Sequence, residues 1–126
     1  MRIITKDIAI CKEKPEGTKI WYYLFSEYEI HYNEQPAHSI QVWHKHNVVN
    51  ETIFIIKGEL VAMWTEKGEQ KEKIVCAGDL VLVDDSDHTF ENRTNYTTKF
   101  LALKNVLSGK DKSEIFKNDK VLGQNG

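Results

Sequence analysis

Residues 44–58 read HKHNVVNETIFIIKG and combine three potential metal ligands with a run of β-forming residues. In a β-strand, side chains two positions apart point to the same face, so His44 and His46 project together. The next four residues can form a short connection, after which Glu51 enters an antiparallel strand beside the histidine pair. Two imidazole nitrogens and one carboxylate oxygen on one face suit Fe, Mn, Ni, Co, Cu or Zn better than calcium or magnesium.

The composition is that of one globular domain in a reducing environment. The chain has 126 residues, of which 40% are hydrophobic and 10% aromatic. A formal net charge of −2 gives no indication of nucleic acid or a membrane surface as a partner. Two cysteines are too few for a disulfide framework. Because Asp7 interrupts any stretch that a signal peptide would need, we expect a cytoplasmic protein.

Short runs of β-forming residues, separated by turn residues, account for most of the chain. They predict an all-β fold, an antiparallel sandwich or barrel. The predicted strands are Ile3–Ile10, Lys19–Phe25, Tyr28–Tyr32, Ser39–His46, Thr52–Lys57, Glu59–Thr65, Lys73–Cys76, Leu80–Val83 and Thr97–Lys104. We expect the barrel to span residues 1–107. A polar C-terminal tail follows over residues 108–126 and can form a short helix that begins near Asp111 or Ser113.

The spacing of residues 38–58 resembles the first sequence motif of the cupin superfamily. His-x-His is followed after four residues by Glu51 and after six more by Gly58, position by position as in that motif. Residues 78–92 resemble the second motif, which starts with a glycine and ends with a histidine and an asparagine. The resemblance implies a small antiparallel double-stranded β-helix, also called a jelly-roll barrel.

The resemblance also implies roles for individual residues. It implies one divalent transition metal, with four ligands: His44, His46, Glu51 and His88. The motif positions further imply two turn glycines and one supporting amide: Gly58, Gly78 and Asn92. In the second motif, Asp84-Asp85-Ser86-Asp87 replaces the usual Pro-x-Gly and is one residue shorter. The position of His88 therefore depends on an irregular turn.

Strand parity extends the predicted inward face beyond the ligands. His38 and Val42 share the parity of His44, Ile53 shares that of Glu51, and Phe90 follows His88. We expect these four residues to line a pocket for a small organic molecule. A partly exposed His38 and plain core packing of the other three explain the same pattern.

A second apolar face is predicted on the outside of the barrel. Trp43, Phe54 and Ile56 have outward parity, and a barrel of this size needs only one core. The second face therefore predicts a homodimer.

The resemblance leaves the function open between three kinds of protein. The first is a metal-dependent enzyme of the dioxygenase, isomerase or epimerase, decarboxylase or lyase type. The second is a non-catalytic module that binds a metal and a small ligand, and the third is a barrel with a purely structural metal. Trp43 to Gly58 is also similar to sugar-phosphate isomerase cupins. That branch ranks lower because no concentration of arginine or lysine is expected on the inward face to hold a phosphate.

Overall fold

The computed structural model describes residues 1–106, 108, 109, 111 and 113–119. Within these residues the chain forms ten β-strands, a short α-helix and one 3-10 turn at Lys6–Ile8. The strands are β1 Ile10–Glu13, β2 Lys19–Leu24, β3 Tyr28–Gln35, β4 Ser39–Ile40, β5 Val49–Lys57, β6 Glu59–Glu66, β7 Glu69–Cys76, β8 Leu80–Leu82, β9 His88–Asn92 and β10 Thr98–Val106; the helix α1 spans Ser113–Asn118. No helix in the described part of the chain is long and apolar enough to cross a membrane.

The strands form two antiparallel sheets. One sheet has six strands in the order β1-β2-β3-β10-β5-β8, and the other has four in the order β4-β9-β6-β7. Their inner faces enclose one hydrophobic core, which consists of Ile53, Ile55, Leu60, Ala62, Val75, Val83, Phe90, Phe100 and Ala102. The predicted all-β antiparallel jelly roll is therefore confirmed.

Strand β5 shows how the sequence positions a charged group inside the barrel. Ile53 and Ile55 are buried in the core, whereas Phe54 and Ile56 between and beyond them are 41% and 43% exposed. Glu51 has the same parity as the two buried isoleucines and is itself only 5% exposed. The two-residue period of the strand thus places a carboxylate on the core face.

Several predicted strands differ in extent from the observed ones: β3, β5 and β7 are three or four residues longer, and two other predicted strands are largely not formed. In the predicted strand Ile3–Ile10, the chain instead forms a tight turn, because Ile8 N donates to Thr5 O at 3.2 Å. The predicted strand Ser39–His46 is paired regularly only at β4, since only its first two residues pair with β9. Strand β9 is not among the predicted strands, because its residues resemble the end of the second cupin motif.

The two motif glycines lie in turns of the barrel, and the motif asparagine connects strand ends. Gly58 joins β5 to β6 with a φ of +97°, and a Cβ there would lie 2.6 Å from Thr98 Oγ1. Asn92, with no exposed surface, donates from Nδ2 to Gln35 O at 3.0 Å and to Tyr96 O at 2.8 Å. These bonds connect the end of β9 to the end of β3 and to the loop before β10. Gly78 has a φ of +93° in the turn between β7 and β8.

Part of the predicted tail lies outside the described residues. This holds for positions 110, 112 and 120–126, and for position 107 at the predicted end of the barrel. The described part of the tail contains α1, whose first residue, Ser113, donates its backbone N–H to Asp111 Oδ1 at 2.9 Å.

Candidate metal centre

A single antiparallel bridge brings two histidines together. His44 N donates to His88 O at 3.0 Å, and His88 N donates to His44 O at 2.9 Å. This exchange of two hydrogen bonds places the residues directly opposite each other, and their ring centroids lie 4.4 Å apart. The irregular aspartate turn is closed by a left-handed Asp84 with a φ of +56°. Although the second motif is one residue shorter, His88 therefore still lies beside His44 and His46.

Glu51 lies between two of the histidines. Its Oε2 is 3.5 Å from His46 Nε2, and its Oε1 is 3.6 Å from His88 Nε2. One ligand atom from each of His44, His46, Glu51 and His88 lies within 4.8 Å of the other three. The structure thus brings all four predicted ligands into one cluster.

Backbone carbonyls orient two of the imidazoles. His44 Nδ1 lies 2.8 Å from Val42 O, and His88 Nδ1 lies 2.8 Å from Ser86 O. A carbonyl oxygen only accepts hydrogen bonds, so each Nδ1 carries the proton. In the neutral ring Nε2 then keeps its lone pair, which is the tautomer that a metal requires.

A second observation shows that these residues fit a metal ion. Among the described residues, His46 Nε2 and His88 Nε2 are buried and have no hydrogen-bond partner. Buried polar atoms without a partner are uncommon because each lost hydrogen bond costs about 1–3 kcal/mol. A cation held between these nitrogens and the Glu51 carboxylate would satisfy both.

The Glu51 carboxylate is held in its charged form. Burial acts to raise its pKa, but the contact with His88 and the nearby charges of Lys104 and His46 outweigh burial and lower the pKa to about 2. Lys104 Nζ lies 3.4 Å from Glu51 Oε2. The carboxylate is therefore available as a ligand throughout the neutral pH range.

The two histidines nearest to Glu51 differ in their electrostatics. Burial lowers the pKa of His46, and the charge of Lys104 acts in the same direction, against that of Glu51. Burial also acts to lower the pKa of His88, but contact with Glu51 and the hydrogen bond to Ser86 raise it. Of these two histidines, His88 therefore has the higher pKa in the ligand-free protein.

A cavity of about 450 Å³ adjoins the cluster. Its lining includes three of the four ligands, His44, His46 and Glu51, together with Lys104 and apolar side chains of the core. The volume is in the range that holds a small organic molecule.

The residues predicted to line the pocket are distributed over three places. Val42 and Ile53 line the cavity beside the ligands, although Val42 is 71% exposed. Phe90 lines a second cavity of about 490 Å³ together with His88. His38 lies outside both cavities on the surface, where its Nε2 donates to Asn95 Oδ1 at 2.7 Å. The inward stripe from His38 to His44 is not formed, because regular pairing stops after β4 and His38 has a φ of +54°.

Sequence reasoning missed several residues of the site. No concentration of arginine or lysine is predicted on the inward face, and the structure places two lysines at the cavity: Lys104 lies beside Glu51, and Lys14 is part of the lining. The alternation of Phe100, Ala102 and Lys104 along β10 could have shown the inward parity of Lys104. No comparable signal exists for Lys14, since it lies in a turn.

No family model matches the chain, and no curated protein matches it in sequence. Solved structures that share its fold include the following three. A predicted oxalate decarboxylase from Thermotoga maritima has a TM-score of 0.72 at 21% identity, with 84% of this chain and 100% of that chain covered. A cupin-superfamily sugar phosphate isomerase from Silicibacter pomeroyi has a TM-score of 0.66 at 16% identity, with 84% of this chain and 76% of that chain covered. The Drosophila melanogaster CENP-C cupin domain has a TM-score of 0.71 at 13% identity, covering 82% and 80%.

These likenesses show that the chain has the cupin fold, as its motifs predicted. Two of the three structures are named as enzymes of different chemistry, and the third is named as a domain without an enzyme activity. The fold therefore does not decide the function. The site itself must carry the functional argument.

The depressed pKa of Glu51 predicts an acid-sensitive step in stability. Its pKa is about 2 in the folded chain against an ordinary value of 4.5, so the unfolded chain binds more protons between these values. The stabilisation is present above about pH 4.5 and is lost as the pH falls towards 2. In metal-free protein, we expect wild type to lose about 2–3 kcal/mol through this group in that window. Urea unfolding of Glu51→Gln as a function of pH should show a correspondingly flatter acid limb.

The exposed Glu13→Gln variant provides the matched control, which should keep the wild-type dependence on pH. An unchanged acid limb in Glu51→Gln would contradict the electrostatic account of the cluster.

Proposed function

We propose that the chain is a metal-dependent enzyme of the dioxygenase or isomerase type that acts on a small organic acid. Its ligands are His44, His46, Glu51 and His88. The observation that carries this proposal is the convergence of four ligand atoms within 4.8 Å, of which two are buried nitrogens without a partner among the described residues.

The donor set defines the kind of cofactor. Three imidazoles and one carboxylate suit a divalent first-row transition metal, and the identity of the metal stays open among Fe, Mn, Ni, Co, Cu and Zn. When bound, such an ion supplies a Lewis acid and a template with about two open positions for a ligand. The protein's own part is to fix the imidazole tautomers through the carbonyls of Val42 and Ser86.

The charges of the cavity favour an anionic ligand. Its lining includes two lysines, Lys14 and Lys104, and two glutamates, Glu16 and Glu51, whose formal charges cancel. A divalent ion therefore adds an excess of positive charge, which a carboxylate of the ligand can neutralise. Lys104 is placed to bind that carboxylate, since its ammonium group already lies 3.4 Å from the Glu51 carboxylate.

A non-catalytic module is the second candidate. What supports it is that the fold also occurs in CENP-C, which has been solved bound to CAL1 and is named for no reaction. In this candidate the chain holds a metal and a small ligand without converting the ligand.

A purely structural metal is the third candidate, and it would require the protein to fill the coordination shell. A cytoplasmic location stays a prediction.

We also propose that the chain forms a homodimer through the outer face of the six-stranded sheet. Phe54 pairs with Leu80 across β5 and β8, and Thr52 pairs with Leu82 on one side and Leu103 on the other. The four apolar side chains among these residues, Phe54, Leu80, Leu82 and Leu103, share one face and are 41–63% exposed. A contiguous apolar patch of this kind is typical of a surface that another protein covers. Trp43, also predicted to face outwards, is 40% exposed.

Metal binding is the first test of the proposed function. After incubation of the metal-free chain with each first-row divalent ion and dialysis, elemental analysis should find about one equivalent per chain. His88→Ala removes a buried ligand and should weaken binding at least tenfold, as loss of even a supporting group does. The surface variant His38→Ala is the matched histidine control and should bind as wild type does.

Wild type without bound metal, or His88→Ala with full occupancy, would contradict the proposed centre. His46→Ala addresses the structural candidate: we expect a folded chain with weakened metal binding, whereas unfolding would favour a structural metal.

Turnover separates the enzyme from the binding module. Loaded with Fe(II) or Mn(II), the chain should consume oxygen or convert a member of a panel of hydroxy acids, dicarboxylates, catechols, diketones and sugars. Lys104→Met should lower conversion of acids at least tenfold, since one charged hydrogen bond is worth about 1.5–3 kcal/mol. A chain that only gains thermal stability with these compounds, without product, would be a binding module.

The proposed dimer can be tested by the mass of the protein in solution, which one substitution at the interface should halve. Light scattering at micromolar concentration should give twice the mass of the chain for wild type and the single mass for Leu82→Glu, which buries a charge at the proposed interface. Ile74→Glu is the control, because Ile74 is also exposed but lies on β7 of the other sheet. A monomeric wild type would exclude the dimer.

A further inference from the structure

Four buried side-chain atoms lack a hydrogen-bond partner among the described residues. Two are the imidazole nitrogens of the metal centre, and the other two are Glu16 Oε2 and Thr18 Oγ1. Thr18 is only 2% exposed, and both residues line the same cavity as the metal ligands. A buried hydroxyl and a carboxylate oxygen without partners are costly unless a group in the cavity satisfies them.

The two residues are held in place by a tight hairpin. Lys14 N donates to Thr18 O at 2.8 Å, and Gly17 N donates to Lys14 O at 2.9 Å. Gly17 has a φ of +102°, and a Cβ there would approach Pro36 Cγ to 3.1 Å, so the hairpin tip packs on the turn after β3. This geometry fixes Glu16 and Thr18 before any ligand binds, which reduces the entropic cost of binding.

Strand register separates this hairpin from the metal centre. Leu24 lies opposite Glu29, which in turn lies opposite Lys104, and Lys104 lies opposite Glu51. Thr18 lies six residues before Leu24, so about 20 Å along the strand direction separates the Thr18 end of the cavity from the row that holds Lys104 and Glu51. A ligand that contacts both must be elongated.

The chemistry of the hairpin indicates what the far part of that ligand carries. A carboxylate only accepts hydrogen bonds, so Glu16 requires a donor, and the Thr18 hydroxyl can donate or accept. The neutral amide side chains of Asn33 and Gln41 line the same cavity; their nitrogens donate to His31 O and Gln35 Oε1 within the protein. Hydroxyl groups, which donate and accept, match this set.

We propose that Glu16 and Thr18 form a second recognition site, which binds hydroxyl groups of an elongated sugar acid whose carboxylate lies near Lys104 and the metal centre. This inference rests on the proposed function, because both groups line the cavity that adjoins the proposed metal ligands. It assigns the ligand a chemical class, a polyhydroxylated acid longer than a single sugar unit.

A length series of sugar acids tests the inference. Gluconate, maltobionate and maltotrionate share one acid head group and differ only in the number of attached glucose units. Isothermal titration of the Mn(II)-loaded full chain should show about a tenfold gain in affinity at the length that reaches the hairpin, the gain expected for one hydrogen bond to a charged group. Glu16→Ala and Thr18→Val should each abolish that gain, and the uncharged substitution Thr18→Val should leave the affinity for gluconate unchanged. Glu13→Gln, on the same hairpin but outside the cavity, should leave the whole series unchanged.

The outcomes separate this inference from the proposed function. A chain that binds no Mn(II) contradicts the metal centre, and the inference fails with it. A chain that binds Mn(II), but shows no gain with length or keeps the gain in both variants, overturns the inference alone.

A melting experiment gives an independent readout without any ligand. Because Thr18→Val removes an unpaired buried hydroxyl and keeps the side-chain shape, it should raise the melting temperature of the ligand-free chain by about 3 °C. A lower melting temperature would show that the hydroxyl is satisfied within the fold, for example by a structural water, and would overturn the role of Thr18.

Discussion

The buried carboxylate of Glu51 is the constraint on which the candidate site depends. An unpaired charge in a barrel interior costs several kcal/mol, so the fold must surround it with compensating groups. Here those groups are two imidazoles at 3.5 and 3.6 Å and the ammonium group of Lys104 at 3.4 Å. None of these distances is that of a close hydrogen bond, and two imidazole nitrogens stay unpaired among the described residues. These distances and unpaired nitrogens are the reason for proposing that the cluster holds a metal ion.

The two-sheet architecture explains why the cluster forms where it does. Glu51 and Lys104 come from neighbouring strands of the six-stranded sheet, whereas His88 begins the central β9 of the other sheet. The segment with His44 and His46 passes between them and is fixed by the bridge to His88. The four residues therefore come from three parts of the chain; strands hold Glu51 and His88, and the bridge to His88 fixes the segment with the other two. Such support is what a metal centre of defined geometry needs.

The sequence predicted the members of the His/Glu cluster better than the surroundings of the cluster. The spacing of His44, His46 and Glu51 depends on local strand geometry, and the motif added His88, so all four could be named in advance. The parity argument failed at His38 because it assumed a continuous strand, whereas regular pairing stops after Ile40. The position of Lys104 beside Glu51 depends on the register between two strands that are about 50 residues apart in the chain, and no local pattern fixes such a register.

The same reasoning explains why the hairpin of Glu16 and Thr18 escaped notice in the sequence. Lys14-Pro15-Glu16-Gly17 is an ordinary turn sequence, and its importance arises only because the tip packs against Pro36 and faces the cavity. A fold selected for stability alone would place a valine at a site as buried as Thr18, because an unpaired hydroxyl there lowers stability. Unpaired polar atoms at both the hairpin and the metal ligands therefore suggest one cause, a cavity whose polar groups are arranged for a ligand rather than for the empty protein.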